Sequence, residues 1–264
     1  MSLVSFEKYH GAGNDFILID NRNHEFDSSV ENVAFLCNRH LGIGADGLML
    51  LENDDDYDFK MRYFNSDGGE ASMCGNGGRC ITAFAHSLGM LTSENVHFLA
   101  IDGPHEAQIL CFTCNEWFIK LKMIDVEEVS SLDKGYFTNT GSPHYVEFVD
   151  NLADFPVVEV GRNLRYSEQF KPGGTNVNFV QMIDDRLFVR TYERGVEDET
   201  LACGTGVTAS SLTYASLNNI LEGVIPVRTL GGNLEVAFRK TENRFNNIYL
   251  TGPVMKVFNG EINI

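Results

Sequence analysis

The chain has 264 residues, 43 % of them apolar and 11 % aromatic, enough for one large domain or two modest ones with packed cores. Its 37 acidic against 20 basic side chains give a formal net charge of −17, which repels nucleic-acid phosphates and anionic lipid and argues against both as partners. No run of about 18 apolar residues suggests a membrane span. The first twenty residues lack the basic stretch and apolar core of an export signal, so a cytoplasmic location is expected.

In chain order, Asp15 to Asp20 reads as a strand. Ser29 to His40 reads as a helix with Ser29 as N-cap and Val33, Leu36, Cys37 and Leu41 on one face. Leu48 to Leu51 and Asp58 to Phe64 read as strands. A glycine-rich loop around Cys74 opens a helix that Gly89 stops. Val96 to Ala100, His105 to Phe112 and Trp117 to Met123 are predicted strands. His144 to Val149 is a strand, and Gly161 to Phe170 a weak helix. Val177 to Met182 and Leu187 to Tyr192 are strands. A loop around Cys203 opens a helix running to Leu217. Strands near Ile225, Leu234 and Asn247 follow, and Val254 to Phe258 is expected to return to the first half.

This second series copies the first. At an offset of 129 residues Cys74-Gly75-Asn76-Gly77 falls on Cys203-Gly204-Thr205-Gly206, Tyr63 on Tyr192, Glu70 on Glu199 and Gly103 on Gly232. The expected architecture is therefore α+β: two similar β-rich domains, each wrapped around a central helix. The expected spans are 1–118, joined by 252–264, and 119–251. Duplication would present two like groups to opposite faces of a ligand, as inversion of a stereocentre requires.

There are six cysteines, at 37, 74, 80, 111, 114 and 203, expected to be reduced without an export signal. Cys37 and Cys80 read as small buried apolar residues. Cys74 and Cys203 differ, because each precedes Gly-x-Gly and opens a helix. A helix start offers unpaired N–H groups and partial positive charge, which favour thiolate and can hold a carboxylate. The bland alternative is two glycine-tightened loops with incidental thiols. Cys111-x-x-Cys114 could be a redox pair or half a metal site, but it sits in a strand-like run without a second such pair. Gly42-x-Gly44-x-x-Gly47 matches a dinucleotide fingerprint in letters only, since a helix precedes it and a strand follows.

The motifs together resemble the diaminopimelate epimerase family. The pieces that carry the resemblance in the first half are Gly13-Asn14-Asp15-Phe16, Gly42-Ile43-Gly44-Ala45-Asp46-Gly47, Phe64-Asn65-Ser66-Asp67-Gly68 and Met73-Cys74-Gly75-Asn76-Gly77. In the second half they are Pro143-His144, Asn176-Val177, Tyr192-Glu193-Arg194-Gly195 and Ala202-Cys203-Gly204-Thr205-Gly206. The resemblance covers nearly the whole chain. It implies two similar domains, commonly in a homodimer, and interconversion of LL- and meso-diaminopimelate on the way to lysine and cell wall, with no cofactor and no metal. It implies Cys74 and Cys203 as catalytic acid and base. It implies substrate contacts from Asn14, Asn65, Gly75, Asn76, Asn176, Glu193, Arg194, Gly204 and Thr205. His144 and Glu193 would tune the thiols.

Each implied residue has a plainer reading: a turn for each asparagine, an ordinary satisfied ring for His144, a solvated charge pair for Glu193-Arg194. Two departures stand out. Ser142 occupies the place where the family usually carries asparagine before Pro-His, which puts one far-end contact in doubt, and Gly47 replaces a frequent glutamine. The rival readings are a proline- or hydroxyproline-type racemase, against which Asn76 and Glu193-Arg194 speak, and a thiol-redox or metal protein using Cys111 and Cys114.

Overall fold

The computed structural model describes residues 3–72 and 74–264; Met73 of the cysteine motif lies outside the described residues. Backbone contacts divide the chain into unit 1, residues 1–121 with 252–264, and unit 2, residues 122–251.

Unit 1 runs β1 (Leu3–Gly11), β2 (Asn14–Asp20), α1 (Val30–Cys37), β3 (Gly47–Glu52), β4 (Phe59–Asn65), β5 (Glu70–Ala71), α2 (Gly75–Ser87), β6 (Asn95–Ala100), β7 (Gly103–Phe112) and β8 (Glu116–Lys122). Unit 2 continues with β9 (Ser130–Ser131), β10 (Tyr136–Asn139), β11 (Pro143–Phe148), α3 (Val157–Arg165), β12 (Asn176–Ile183), β13 (Arg186–Glu193), β14 (Asp198–Thr200), α4 (Gly204–Leu217), β15 (Glu222–Arg228), β16 (Asn233–Thr241) and β17 (Arg244–Asn263). The offset of 129 places β2, α1, β3, β4, β5, α2, β6, β7 and β8 on their unit 2 counterparts, so the fold is α+β and duplicated element by element.

Each unit closes on itself. In unit 1 the pairings run β1–β2–β3–β4–β6–β7–β8, and the segment from Gly252 onward in β17 pairs with both β8 and β1 to seal the ring. In unit 2 they run β10–β11–β12–β13–β15–β16 and the first part of β17. The closing segment is 123–131, joined through Val126↔Phe245 on one side and β9–β10 on the other. Closure removes the sheet edges that would otherwise expose unpaired backbone.

Each barrel holds one helix. Residues Gly75 to Ala85 of α2 are all buried, with α2 packed on β1, β2, β3, β4 and β7. α4 packs on β10, β11, β12, β13, β15 and β16. A helix enclosed all round must be small or apolar on every face. In α4 the buried hydroxyls of Thr208, Ser210, Ser211 and Thr213 each donate to the carbonyl four residues back, at 2.8–2.9 Å. Ile81 and Phe84 anchor α2, each worth roughly 1.5–3 kcal/mol of burial. No helix among the described residues is long and apolar enough to cross a membrane.

Several sequence expectations need correction. β1 and β10 were not foreseen. The first helix ends at Cys37 and not His40, and Leu41 lies beyond it at 73 % exposed. Ser29 is the N-cap by position but makes no side-chain cap bond. The weak helix starts earlier, at Val157, and a separate 3-10 turn spans Glu168–Phe170. Cys114 lies in the β7–β8 turn and not in a strand, and both it and Cys111 are exposed.

Candidate active site

Both marked cysteines stand at helix starts. Cys74 is the N-cap of α2, with extended backbone, and its sulfur accepts the Gly77 N–H at 3.2 Å. Cys203 is the N-cap of α4, buried, with its sulfur 3.5 Å from Thr205 Oγ1. The N–H groups of Gly75, Asn76, Gly204 and Thr205 belong to the first helical turns, where the backbone has donors without intrahelical partners. The repeat-matched glycines lie at close approaches. A Cβ on Gly77 would lie 2.6 Å from Met49 Cε and 3.2 Å from Cys74 Sγ, and one on Gly206 would lie 2.3 Å from Asn178 Oδ1. Cys37 and Cys80 are buried, and burial pushes the Cys37 thiol up to about 12. Neither is poised for chemistry at neutral pH.

In unit 1 a continuous network underlies Asn14 and Asn76. Lys8 Nζ, only 5 % exposed as a residue, lies 2.7 Å from Asp15 Oδ2 and also donates to the Gly44 carbonyl. The Arg39 fork donates to both Asp15 oxygens and to Asp46 Oδ1. Asp46 Oδ2 accepts Asn14 Nδ2 at 2.7 Å, and Asn14 Oδ1 accepts Asn76 Nδ2 at 3.2 Å. Asn76 Oδ1 in turn accepts Arg79 Nη2 at 2.9 Å. Burial alone would raise the Asp15 carboxyl, but the bonds from Arg39 and Lys8 outweigh it and hold the group at about 2. The loop that mimics a dinucleotide fingerprint thus supplies Gly44 and Asp46 to fix an asparagine. Asn65 is exposed at the end of β4, where its backbone brackets a turn: its N–H donates to Gly69 O and its carbonyl accepts from Gly68 N.

In unit 2 two asparagines one strand repeat apart organise the predicted residues. Asn176 Nδ2 donates to Ser142 Oγ at 2.9 Å and Pro143 O at 3.0 Å, while its Oδ1 accepts the Arg194 backbone N–H at 2.8 Å. Ser142 Oγ also accepts from Arg194 Nη2 at 3.3 Å. The Ser142 hydroxyl therefore ties Asn176 to Arg194. Glu193 Oε2 accepts Thr200 Oγ1 at 2.8 Å across the β13–β14 hairpin.

Asn178 decides the chemistry of His144. Its Nδ2 donates to Tyr145 O at 2.9 Å and its Oδ1 accepts Thr191 Oγ1 at 2.9 Å, which fixes which end of the amide is nitrogen. The second Nδ2 proton points at His144 Nδ1, 3.1 Å away, so that nitrogen is the acceptor. A neutral ring accepting at Nδ1 carries its proton on Nε2. His144 is fully buried, and its Nε2 has no hydrogen-bond partner among the described residues. Burial, helped by the Arg194 charge, pushes its pKa down to about 3, so the ring is neutral at pH 7. A buried donor left open costs about 1–3 kcal/mol, as is tolerated at sites that await an acceptor.

Sequence reading missed Lys8, Arg79 and Asn178. Two had a signal. Asn178 follows Asn176 by two residues in a strand and so shares its face. Arg79 is the one charge in an otherwise apolar or small helix, so burial of that helix buries it.

A family model described as diaminopimelate epimerase matches residues 6–110 and 136–257. A diaminopimelate epimerase of Flavobacterium psychrophilum is 49 % identical over 256 residues, covering 95 % of this chain and 97 % of that one. One of Chlorobaculum tepidum is 42 % identical over 262 residues, covering 96 % and 99 %. Among solved structures, a PhzF-family phenazine biosynthesis protein of Bacillus anthracis has a TM-score of 0.82 at 16 % identity over all of both chains. A hydroxyproline epimerase from Agrobacterium vitis has a TM-score of 0.71 at 16 % identity, covering 98 % of this chain and 92 % of that one. These two share the fold.

Proposed function

The chain belongs to the diaminopimelate epimerase family and is an isomerase acting on amino acids, and from that premise we propose that it interconverts LL- and meso-2,6-diaminopimelate by a two-base reaction of Cys74 and Cys203, in lysine and cell-wall precursor synthesis. The observation that carries this reading is the repeated cysteine at the N-cap of each enclosed helix. One sulfur, as thiolate, takes the α-proton and becomes a thiol; the other, as thiol, gives its proton to the opposite face and becomes a thiolate. Charge developing on the substrate carboxylate is met by the N–H groups at Gly75, Asn76, Gly204 and Thr205. Asn14, Asn65 and Asn176 supply amide contacts, and Asn14 and Asn76 are already aligned by Asp46 and Arg79. Arg194, with Glu193, takes the far amino-acid head group, its fork suited to a carboxylate. His144, neutral with its proton on the buried Nε2, offers a donor that does not compete for protons near pH 7. No cofactor is required.

The enzyme acts in the cytoplasm, and we propose a homodimer. Sedimentation velocity tests this, and a monomer throughout would refute it.

The decisive experiment is incubation with single stereoisomers of diaminopimelate in heavy water, without added cofactor and after exhaustive chelation. Inversion with deuterium incorporated at the α-carbon is expected. Activity on proline or hydroxyproline but not diaminopimelate, or loss of turnover on chelation, would overturn the reading.

A further inference from the structure

The two enclosed helices occupy matching places, yet one buried position a helical turn beyond the cysteines is charged in the first and neutral in the second. At the offset of 129 residues, Arg79 of α2 matches Thr208 of α4. Thr208 is neutral and spends its hydroxyl on the Gly204 carbonyl at 2.9 Å. Arg79 is 0 % exposed. Its Nη1 donates to the carbonyl of Gly75, the residue after Cys74, at 3.0 Å, and its Nη2 to Asn76 Oδ1 at 2.9 Å. Its Nε has no hydrogen-bond partner, and no carboxylate pairs with it, among the described residues. Gly11 packs closely against it: a Cβ there would lie 3.2 Å from Nη2.

A buried cation without an anion carries an effective penalty of several kcal/mol. Burial accordingly pulls the Arg79 pKa down, and two groups oppose that pull, Cys80 and Cys74. Cys80 cannot supply the charge, because complete burial raises its thiol far above neutral pH. Several charged groups of unit 1 pair with one another and not with Arg79: Lys8 and Arg39 with Asp15, Arg39 also with Asp46, Arg62 with Glu70 and Glu52, and Lys256 with Glu7. His10 Nδ1 accepts the Gly13 N–H. Cys74 remains, with the Gly77 N–H on its sulfur.

We propose that Arg79 is the buried counter-charge that makes Cys74 the resting thiolate, leaving Cys203, with neutral Thr208 in the matching place, as the resting thiol. Arg79 is thus a positioning residue that acts through Cys74, and it breaks the symmetry of the duplicated machinery. The assignment rests on the two-cysteine reading above but can fail separately from it.

The test is alkylation of the substrate-free enzyme by iodoacetamide across pH, with the rate at each cysteine followed by mass spectrometry of its peptide. Thiolate is the reactive form, so each rate tracks that thiol's ionisation. In the wild type, Cys74 should react with a midpoint at least roughly one pH unit below that of Cys203, about a tenfold faster rate at neutral pH. Arg79→Met should raise the Cys74 midpoint by roughly one unit or more and leave that of Cys203 in place. Arg79→Lys, which keeps the charge, should keep the Cys74 midpoint low. If Arg79→Met fails to fold, the wild-type comparison and Arg79→Lys still decide. A Cys203 midpoint at or below that of Cys74, or a Cys74 midpoint indifferent to loss of the charge, overturns the proposal. Epimerisation of diaminopimelate with equal midpoints refutes Arg79 alone, whereas unequal midpoints without epimerisation refute the function alone.

Discussion

His144 makes the enzyme's acid stability predictable in sign and size. Its pKa falls from an ordinary 6.5 to about 3 on folding. Between those values the unfolded chain binds a proton that the folded chain refuses. Stability contributed by this group is therefore complete above about pH 6.5 and is lost as pH falls toward 3. Each pH unit in that window is worth about 1.4 kcal/mol, so from pH 7 to pH 4 the wild type should lose on the order of 3 kcal/mol through His144 alone. That is a large share of the ~5–15 kcal/mol that holds a typical domain folded. The perturbation is His144→Gln, which keeps a polar side chain opposite Asn178 but cannot titrate. The assay is urea unfolding of both proteins at half-unit steps from pH 7.5 to pH 4. Other titrating groups act in both proteins and cancel in the difference. The gap between wild type and variant should shift by about 3 kcal/mol in favour of the variant as pH falls. A gap that stays constant from pH 7 to pH 4 would refute both the neutral ring and its burial as the cause.

Two further outcomes follow from named contacts. Arg194→Lys should lower kcat/KM for diaminopimelate by roughly tenfold or more in steady-state assays, because an ammonium cannot make the bidentate contact; a near-wild-type value would remove Arg194 from the far head group. Gly206→Ala should destabilise by about 1–3 kcal/mol, measured by urea unfolding, since its Cβ must displace the Asn178 amide that lies 2.3 Å away. The same displacement frees His144 Nδ1, so nitrogen-15 chemical shifts of the ring should show a changed tautomer mixture, and an unaltered Nε2–H ring would be the wrong result for this account.

Some of this molecule is written in its sequence. Element type along the chain follows from apolar periodicity, and the offset of 129 residues relates the two series because the halves repeat both residues and spacing. The cysteine N-caps are legible too, since Cys-Gly-x-Gly ahead of a small-residue run is a local signal that needs no partner from elsewhere. Ser142 looked like a loss when read as a letter, because a hydroxyl has fewer donors than an amide. In three dimensions it is the shared acceptor of Asn176 and Arg194.

The rest is decided by closure. β1 alternates over Val4-Ser5-Phe6-Glu7 and then loses phase at the register shift between Lys8 and Tyr9, and β10 is four residues long, so neither carries a long periodic signal; each pairs with its barrel's closing segment. Whether a charge is paired depends on contacts between residues far apart in the chain. Lys8, Asp15, Arg39 and Asp46 neutralise one another through loops that only the barrel brings together. Arg79 and Asn178 look unexceptional as letters. Enclosing one in α2 and facing the other into its barrel removes water, and without water burial and a fixed amide set the state of His144. Local sequence chose the helices and placed the thiols at their starts; the low-dielectric interior created by closing each sheet keeps His144 neutral.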